Sequence, residues 1–253
     1  MLKYNLARKI FSCIFVAIVA CTAIMHINGT WITIALVIIW ISYVMYGAFR
    51  MRAQVFLNSI CSLAIPYKNN IVLTFDDGPD PEVTPRILDL LATHHAKAVF
   101  FSIGKNLVLY PELAKRIVAE GHILANHSYN HSNFIGIFST KKVIKEIQQT
   151  EAEIERFMPS LKLYRPPFGV TNPNIARATS ALNMKVIGWN KRSFDTVSNS
   201  EKAVLDRVLS NIQNGDIVLF HDTQPITPAI LADFLLFAIN KGFTFEVNAI
   251  KHK

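Results

Sequence analysis

Two long stretches near the N-terminus are almost without polar residues, whereas the rest of the chain alternates short apolar runs with amphipathic ones. The apolar stretches cover residues 10–27 and 31–49, each close to the ~20 residues a helix needs to cross a bilayer. His26, Asn28, Gly29 and Thr30 separate them and predict a tight turn, so residues 1–52 read as two transmembrane helices in a hairpin. Trp31, Trp40, Tyr43 and Tyr46 include candidate interfacial anchors. A cleaved signal peptide or a single anchor is the competing reading, with Lys3, Arg8 and Lys9 as the basic region. The second apolar run and the lack of a well-placed small-x-small cleavage site argue against it. Residues 53–66 are apolar but too short to span; the segment 53–70 reads as a linker that lies on the membrane surface or adds a strand to the domain.

From residue 71 onward the period changes. Apolar runs at 71–75, 98–102, 122–125, 161–164, 185–188, 216–220 and 244–247 predict strands. Between them, helical spacing predicts helices at 84–92, 111–120, 140–157, 172–182, 201–212 and 228–240. Pro111 sits in a first turn and Gly121 follows a last one, and Ser139 or Thr140 opens the long helix. Regular alternation with short links means βα units and a mainly parallel sheet. About seven such units favour a distorted (β/α) barrel over an open sheet, making 71–253 one α/β domain. In such barrels the chemistry gathers at the C-terminal ends of the strands.

Charge refines the picture. The chain has 26 Lys and Arg against 18 Asp and Glu, a net +8. Lys3, Arg8 and Lys9 precede the first span, Arg50 and Arg52 follow the second, and the turn between has neither type. The positive-inside rule then places both ends, and the domain, on the cytoplasmic side. An enzyme of the cell wall would need the opposite, periplasmic or extracellular, side. No dense basic stripe interleaves with aromatics, which excludes a nucleic-acid partner, and the flanking charges suit anionic membrane lipid. Cys13, Cys21 and Cys61 all precede the barrel, so it contains no disulfide framework.

Candidate chemistry follows the predicted strands. Thr74-Phe75-Asp76-Asp77-Gly78-Pro79 follows the first, and adjacent carboxylates at an apolar strand end are costly unless something neutralises them. A divalent metal would, with one Asp as ligand and the other facing substrate; the alternative is a capping Asp and a turn Asp. His127 and His131, four apart, share a face if their segment is helical. Two imidazoles and a carboxylate form a common three-ligand set that suits Zn2+, with Co2+ or Ni2+ as alternatives. Further strands lead to Arg165-Pro166-Pro167-Phe168-Gly169, to Trp189-Asn190 with Asp195 beyond, and to His221-Asp222. His94, His95 and His122 read as surface or structural, Phe100, Phe101, Phe234 and Phe237 as core, and Trp189 equally as core or pocket wall.

These segments, in this order, resemble the motifs of the polysaccharide deacetylases of carbohydrate esterase family 4, the NodB-homology domain. Thr74–Gly78 resembles the first motif, His127–His131 the second, Arg165–Gly169 the third and Leu219-Phe220-His221 the fifth. The fourth is partial: Trp189 and Asp195 fit, but Arg192 stands where the family often has Asp, and Thr196 where it often has Trp. The resemblance implies that Asp77, His127 and His131 bind the metal and that Asp76 is the general base, held by Arg165. It implies that His221 is the general acid oriented by Asp195, and that Leu219 lines the acyl pocket. Pro167, Phe168 and Trp189 become substrate contacts, with the Phe168 backbone N–H as an oxyanion donor where the family usually has Tyr. The expected activity is metal-dependent removal of N-acetyl or other N-acyl groups from a carbohydrate: a lipid-linked glycan, peptidoglycan or an exported polysaccharide. A carbohydrate O-acetyl esterase is the alternative. A non-catalytic glycan- or metal-binding membrane protein is disfavoured because Asp76 and His221 are both present.

Overall fold

The structure, a computed structural model, describes residues 2–25, 28–63 and 69–251. Eight parallel strands form one curled sheet: β1 (Ser59–Ile60), β2 (Val72–Asp76), β3 (Ala98–Ser102), β4 (Ile123–Asn126), β5 (Leu163–Tyr164), β6 (Lys185–Ile187), β7 (Lys191–Arg192) and β8 (Ile217–His221). Their order is β1-β6-β5-β4-β3-β2-β8-β7. The sheet nearly closes on itself. Ser62 bridges Asp216 just ahead of β8, and the chain crosses the remaining seam directly from β6 to β7.

Before the strands, the hairpin forms helices α1 (Leu2–Ile24) and α2 (Thr30–Phe49). Around the barrel lie α3 (Val83–Thr93), α4 (Gly104–Leu109), α5 (Pro111–Ala119), α6 (Thr140–Ile154), α7 (Pro173–Ala181), α8 (Glu201–Leu209) and α9 (Thr227–Asn240). Each amphipathic run folds as a helix because its apolar positions recur on one side; in α3, Val83, Ile87, Leu88 and Leu91 are all buried. Caps set the starts: the Ser139 hydroxyl accepts the Lys142 N–H, and Asn172 Oδ1 accepts the Ile175 N–H at 2.8 Å ahead of Pro173.

The strand period of two divides the core. Leu73, Phe75, Phe100, Leu124, Val218 and Phe220 pack outward against the helices. Val72, Val99, Phe101, Ile123, Ala125, Leu163 and Ile217 pack in a separate inner cluster. Continuing the inner parity to the strand ends puts Thr74 and Asp76, His127, Arg165, and Leu219 and His221 on the inner face.

Some expectations need correction. Residues 244–247 do not form a strand; Thr244 makes a single parallel bridge to Asn70. The two-residue strands β1 and β7, rich in polar side chains, take the edges instead. Phe237 is exposed on the outer side of α9, unlike buried Phe100, Phe101 and Phe234. The segment expected as a linker is packed: it supplies β1 and the buried Val55, Phe56 and Leu57. Residues 26 and 27 of the predicted turn, residues 64–66 of the short apolar stretch and His252 lie outside the described residues.

Both α1 and α2 are long and apolar enough to cross a membrane. They pack through Phe11 stacked on Trp40, with ring centroids 4.7 Å apart, so Trp40 faces its neighbour helix. Trp31 and Tyr46 are exposed. The hairpin is docked on the barrel. Gly47 packs against Val55 and Phe56, Tyr4 meets Phe56, and Thr171 donates its N–H to the Ala48 carbonyl and its hydroxyl to that of Gly47 (2.8 Å).

Candidate active site

At the C-terminal end of the barrel a cavity of 160 Å³ is lined by Asp76, Asp77, His127, His131, Phe168, Trp189, Leu219 and His221, among others. Parallel pairing brings Asp76 and His221 side by side at the ends of β2 and β8. Four residues of the site, Asp77 (φ 81), Ser128 (φ 64), His131 (φ 49) and Phe168 (φ 58), have left-handed backbone. Such conformations are unfavourable for residues with a Cβ and collect where surrounding structure enforces a functional geometry. At Asp77 the turn directs the chain away from strand parity, so two adjacent carboxylates enter one cavity. His131 also shares a face with His127 without any helix: the segment is an irregular turn, correcting the helical expectation.

Asp77 Oδ1 lies 3.4 Å from His127 Nε2 and 3.2 Å from His131 Nε2. It is buried and has no hydrogen-bond partner. The His127 Nδ1–H donates to the Arg165 carbonyl at 2.8 Å, which turns Nε2 toward the cluster. Burial and the neighbouring His127 push the His131 imidazole down to about 4, so the His131 ring is neutral near pH 7. Burial would raise Asp77, but the imidazoles of His127, His131 and His221 hold its carboxyl well below the usual carboxylate range. Lone pairs from three donors within 4.8 Å of one another call for a cation. Tetrahedral zinc with imidazole ligands requires donors about 3.3 Å apart, so this donor set fits a divalent metal.

Two ion-paired systems flank the cluster. Arg165 is fully buried and each of its nitrogens is paired: Nη1 donates to Asp76 Oδ1 (2.6 Å) and Thr74 Oγ1 (2.9 Å), Nε to the Ile187 carbonyl, and Nη2 to the Gly188 carbonyl. Its guanidinium lies 4.0 Å from the Phe101 ring centroid. Removing either member of a buried pair leaves an uncompensated charge and costs roughly 3–5 kcal/mol. On the other side, His221 Nδ1 lies 2.7 Å from Asp195 Oδ1, and Asp195 Oδ2 accepts both the His221 N–H and the Thr227 hydroxyl. Burial lowers the His221 imidazole, but the Asp195 hydrogen bond and charge, with help from Asp76 and Asp77, raise it above the ordinary value.

Pro167 is buried and stands behind the cavity rather than lining it; its fixed φ leads into the left-handed turn at Phe168. Phe168 is half exposed at the rim, 4.6 Å from His131 by ring centroid. Trp189 serves both roles open to it: it lines the cavity and packs on two core clusters. Gly169 is required there, since its φ is +68 and a Cβ would strike the Trp189 ring.

Several positioning residues escape sequence reasoning. Glu146 accepts the N–H groups of Tyr129 and Asn130 and the Asn130 side chain, holding the loop between the two histidines. Its signal was available: a buried Glu among Val143, Ile147 and Thr150 on the apolar side of α6. Asp222 clamps the other loop by accepting the Gly78 N–H and the Thr84 hydroxyl, each at 2.8 Å. Thr227 and Ser193, both bonded to Asp195, carried no signal. His122 is structural, accepting the Ala98 N–H at Nδ1.

Fold and site together define an α/β barrel of the deacetylase type, and the chain belongs to the polysaccharide deacetylase family, carbohydrate esterase family 4. The family model for polysaccharide deacetylases matches residues 65–187. Two peptidoglycan-N-acetylglucosamine deacetylases of Bacillus cereus are similar to it. One is 33% identical over 69% of this chain and 84% of its own length; the other is 36% identical over 62% of this chain, which spans 58% of that relative. Among solved structures, the peptidoglycan deacetylase PdaC from Bacillus subtilis superposes with a TM-score of 0.67 at 30% identity, covering 75% of this chain and 92% of that one.

Proposed function

We propose that the chain is a divalent-metal-dependent deacetylase that hydrolyses the N-acetyl or another N-acyl group of a membrane-associated carbohydrate, and that its hairpin crosses the membrane twice. The carrying observation is that two differently poised groups face each other across the Asp77–His127–His131 cluster. Asp76 is held by Arg165, and His221 by Asp195. General base and general acid need such separate environments.

Asp77, His127 and His131 would hold the ion, which when bound would supply Lewis-acid chemistry, acidifying water and polarising an acyl carbonyl. Asp76 takes a proton from the attacking water through the oxygen that Arg165 leaves free. The Phe168 N–H donates to the developing oxyanion. His221 delivers its Nε2 proton to the leaving nitrogen, which must be protonated to depart, while Asp195 fixes the tautomer. Amide and water become amine and carboxylic acid. The Asp195–His221 pair favours the amide over an ester, because an alkoxide leaves with less need of an acid.

The membrane reading is supported by the hairpin surface, where Ile10, Ile14, Ile34, Ile38, Ile39 and Ile41 are all exposed. So large an apolar face needs lipid around it. The test is release of acetate or formate from N-acylated glycans, in parallel with O-acetylated ones, by full-length protein loaded with zinc or cobalt. Asp76→Asn should lower kcat by roughly 10²–10⁴-fold. A metal-loaded, folded protein inactive on every N-acylated glycan would overturn the proposal.

A further inference from the structure

A second cleft, of 420 Å³, opens beside the catalytic cavity where α2 leaves the hairpin. It is lined by Phe49, Arg50 and Arg52 on one side and by Trp189, Arg192 and Phe194 on the other. We propose that this cleft binds the phosphate of a lipid-phosphate-linked N-acylated sugar, seating the headgroup phosphate while the sugar reaches the metal cluster. The proposal rests on the deacetylase reading and deepens it by naming the substrate class.

Three observations converge. The lining has three guanidinium groups and no carboxylate, and among the described residues none of the three forms a salt bridge. Arg192 Nε is buried and has no hydrogen-bond partner, a donor that a neutral protein surface would not leave unused. Its guanidinium lies 4.5 Å from the Phe194 ring centroid and 5.7 Å from that of Trp189, so aromatic faces orient it. Arginine is the side chain suited to bidentate phosphate recognition.

Continuity supplies the link to catalysis. Trp189 and Arg192 line both the cleft and the catalytic cavity, so a ligand can occupy both at once. Position supplies the lipid. Arg50 directly follows the apolar α2, so with α2 in a bilayer the cleft opens at headgroup level, and a lipid tail can run along the exposed apolar side of the hairpin.

The experiment uses full-length protein in detergent micelles and measures binding of farnesyl phosphate against farnesol. It then compares deacylation of a farnesyl-phosphate-linked N-acetyl sugar with that of a neutral chitooligosaccharide. Wild type should bind farnesyl phosphate and not farnesol. Arg50→Gln/Arg52→Gln should weaken that binding roughly 10- to 100-fold. The same variant should lower the ratio of kcat/KM on phosphorylated over neutral substrate by a similar factor, mainly through KM. Lys202→Gln, exposed on α8 and lining neither the cleft nor the catalytic cavity, is the charge control and should alter neither. Equal binding of farnesyl phosphate and farnesol, or binding insensitive to the double variant, overturns the proposal. So does equal competition by phosphatidylglycerol, which would make the cleft a general headgroup contact. Activity on the neutral oligosaccharide without phosphate discrimination would sink this inference and leave the deacetylase intact. Loss of all activity would sink the deacetylase reading, and the binding arm would still decide the cleft.

Discussion

Asp195 and His221 illustrate how one contact sets a working pH. Burial alone would strip the proton from His221; the 2.7 Å contact to Asp195 reverses that and keeps an acid available above the ordinary imidazole range. Asp195→Asn removes the largest raising influence and leaves burial to act, so the alkaline limb of the pH–rate profile should move to lower pH, with kcat falling toward the roughly 10²–10⁴-fold contribution of general acid catalysis. A limb at unchanged pH in the Asn variant would show that His221 is not the titrating acid. His122 shows the opposite case. Burial, then the charges of Lys97 and Arg116, push it down to about 4, and its Nδ1 must stay unprotonated to accept the Ala98 N–H. The unfolded chain takes up this proton near pH 6.5 and the folded one only near 4. Between those values the unfolded state binds more protons, so stability falls as pH drops, by about 1.4 kcal/mol per unit at most. His122→Asn keeps an acceptor and removes the titration. Urea unfolding at pH 7 and pH 5 should show a smaller loss of stability in the variant than in wild type.

At the scale of elements, the strand period does most of the placing. Asp76 follows Val72 and Thr74 on the inner face, and His221 follows Ile217 and Leu219, so an apolar run ending in a titratable group already encodes a buried polar position at the barrel end. Asp76, His127, Arg165 and His221 are legible in the sequence for that reason, whereas the entry of Asp77 into the same cavity depends on its left-handed turn. The edge strands were not, since Lys191-Arg192 and Ser59-Ile60 are too short and polar to read as strands; they pair only because the barrel brings an edge to them. The second ring of contacts was equally hidden, because Thr227 and Ser193 matter only once α9 and the β7 loop close on Asp195. Glu146 is the intermediate case. Its carboxylate on α6 fixes the turn that lets two histidines meet without a helix. Glu146→Gln loses charge and one acceptor, and should weaken zinc affinity by roughly 10–100-fold, as outer supports of ligands do, with far-UV circular dichroism unchanged. Calorimetric zinc titration checks this, and unaltered affinity would remove Glu146 from the site.

The whole molecule joins an apolar helical hairpin to a barrel through close packing and hydrogen bonds. Gly47 approaches Val55 so closely that a Cβ there would lie 2.7 Å from that side chain, and Thr171, three residues beyond Phe168, bonds the last turn of α2. The loop carrying Phe168 is therefore tied to the hairpin, and with the hairpin in a bilayer, as proposed, the candidate site would be held at a fixed height above its surface. Gly47→Ala should cost about 1–3 kcal/mol by overpacking, read as a lower unfolding temperature in micelles. It should also reduce turnover of a membrane-embedded substrate more than that of a soluble oligosaccharide, because it loosens orientation and leaves the chemistry alone. The same geometry bears on which side the barrel occupies. Lys3, Arg8 and Lys9 open α1 and Arg50 and Arg52 follow α2, so the hairpin brings all five to the same end, and the positive-inside rule counts all five toward the cytoplasm. Arg50 and Arg52 have a second reason to be where they are, since they line the cleft beside the catalytic cavity. Lys3, Arg8 and Lys9 line no part of either cavity, so they alone carry an unmixed orientation signal, and it too points inward. The domain should therefore face the cytoplasm, where a lipid-linked precursor is met before export. A C-terminal green fluorescent protein fusion should fluoresce and a C-terminal alkaline phosphatase fusion should stay inactive. The reverse pattern would place the barrel outside and make the wall, or an exported polysaccharide, its substrate.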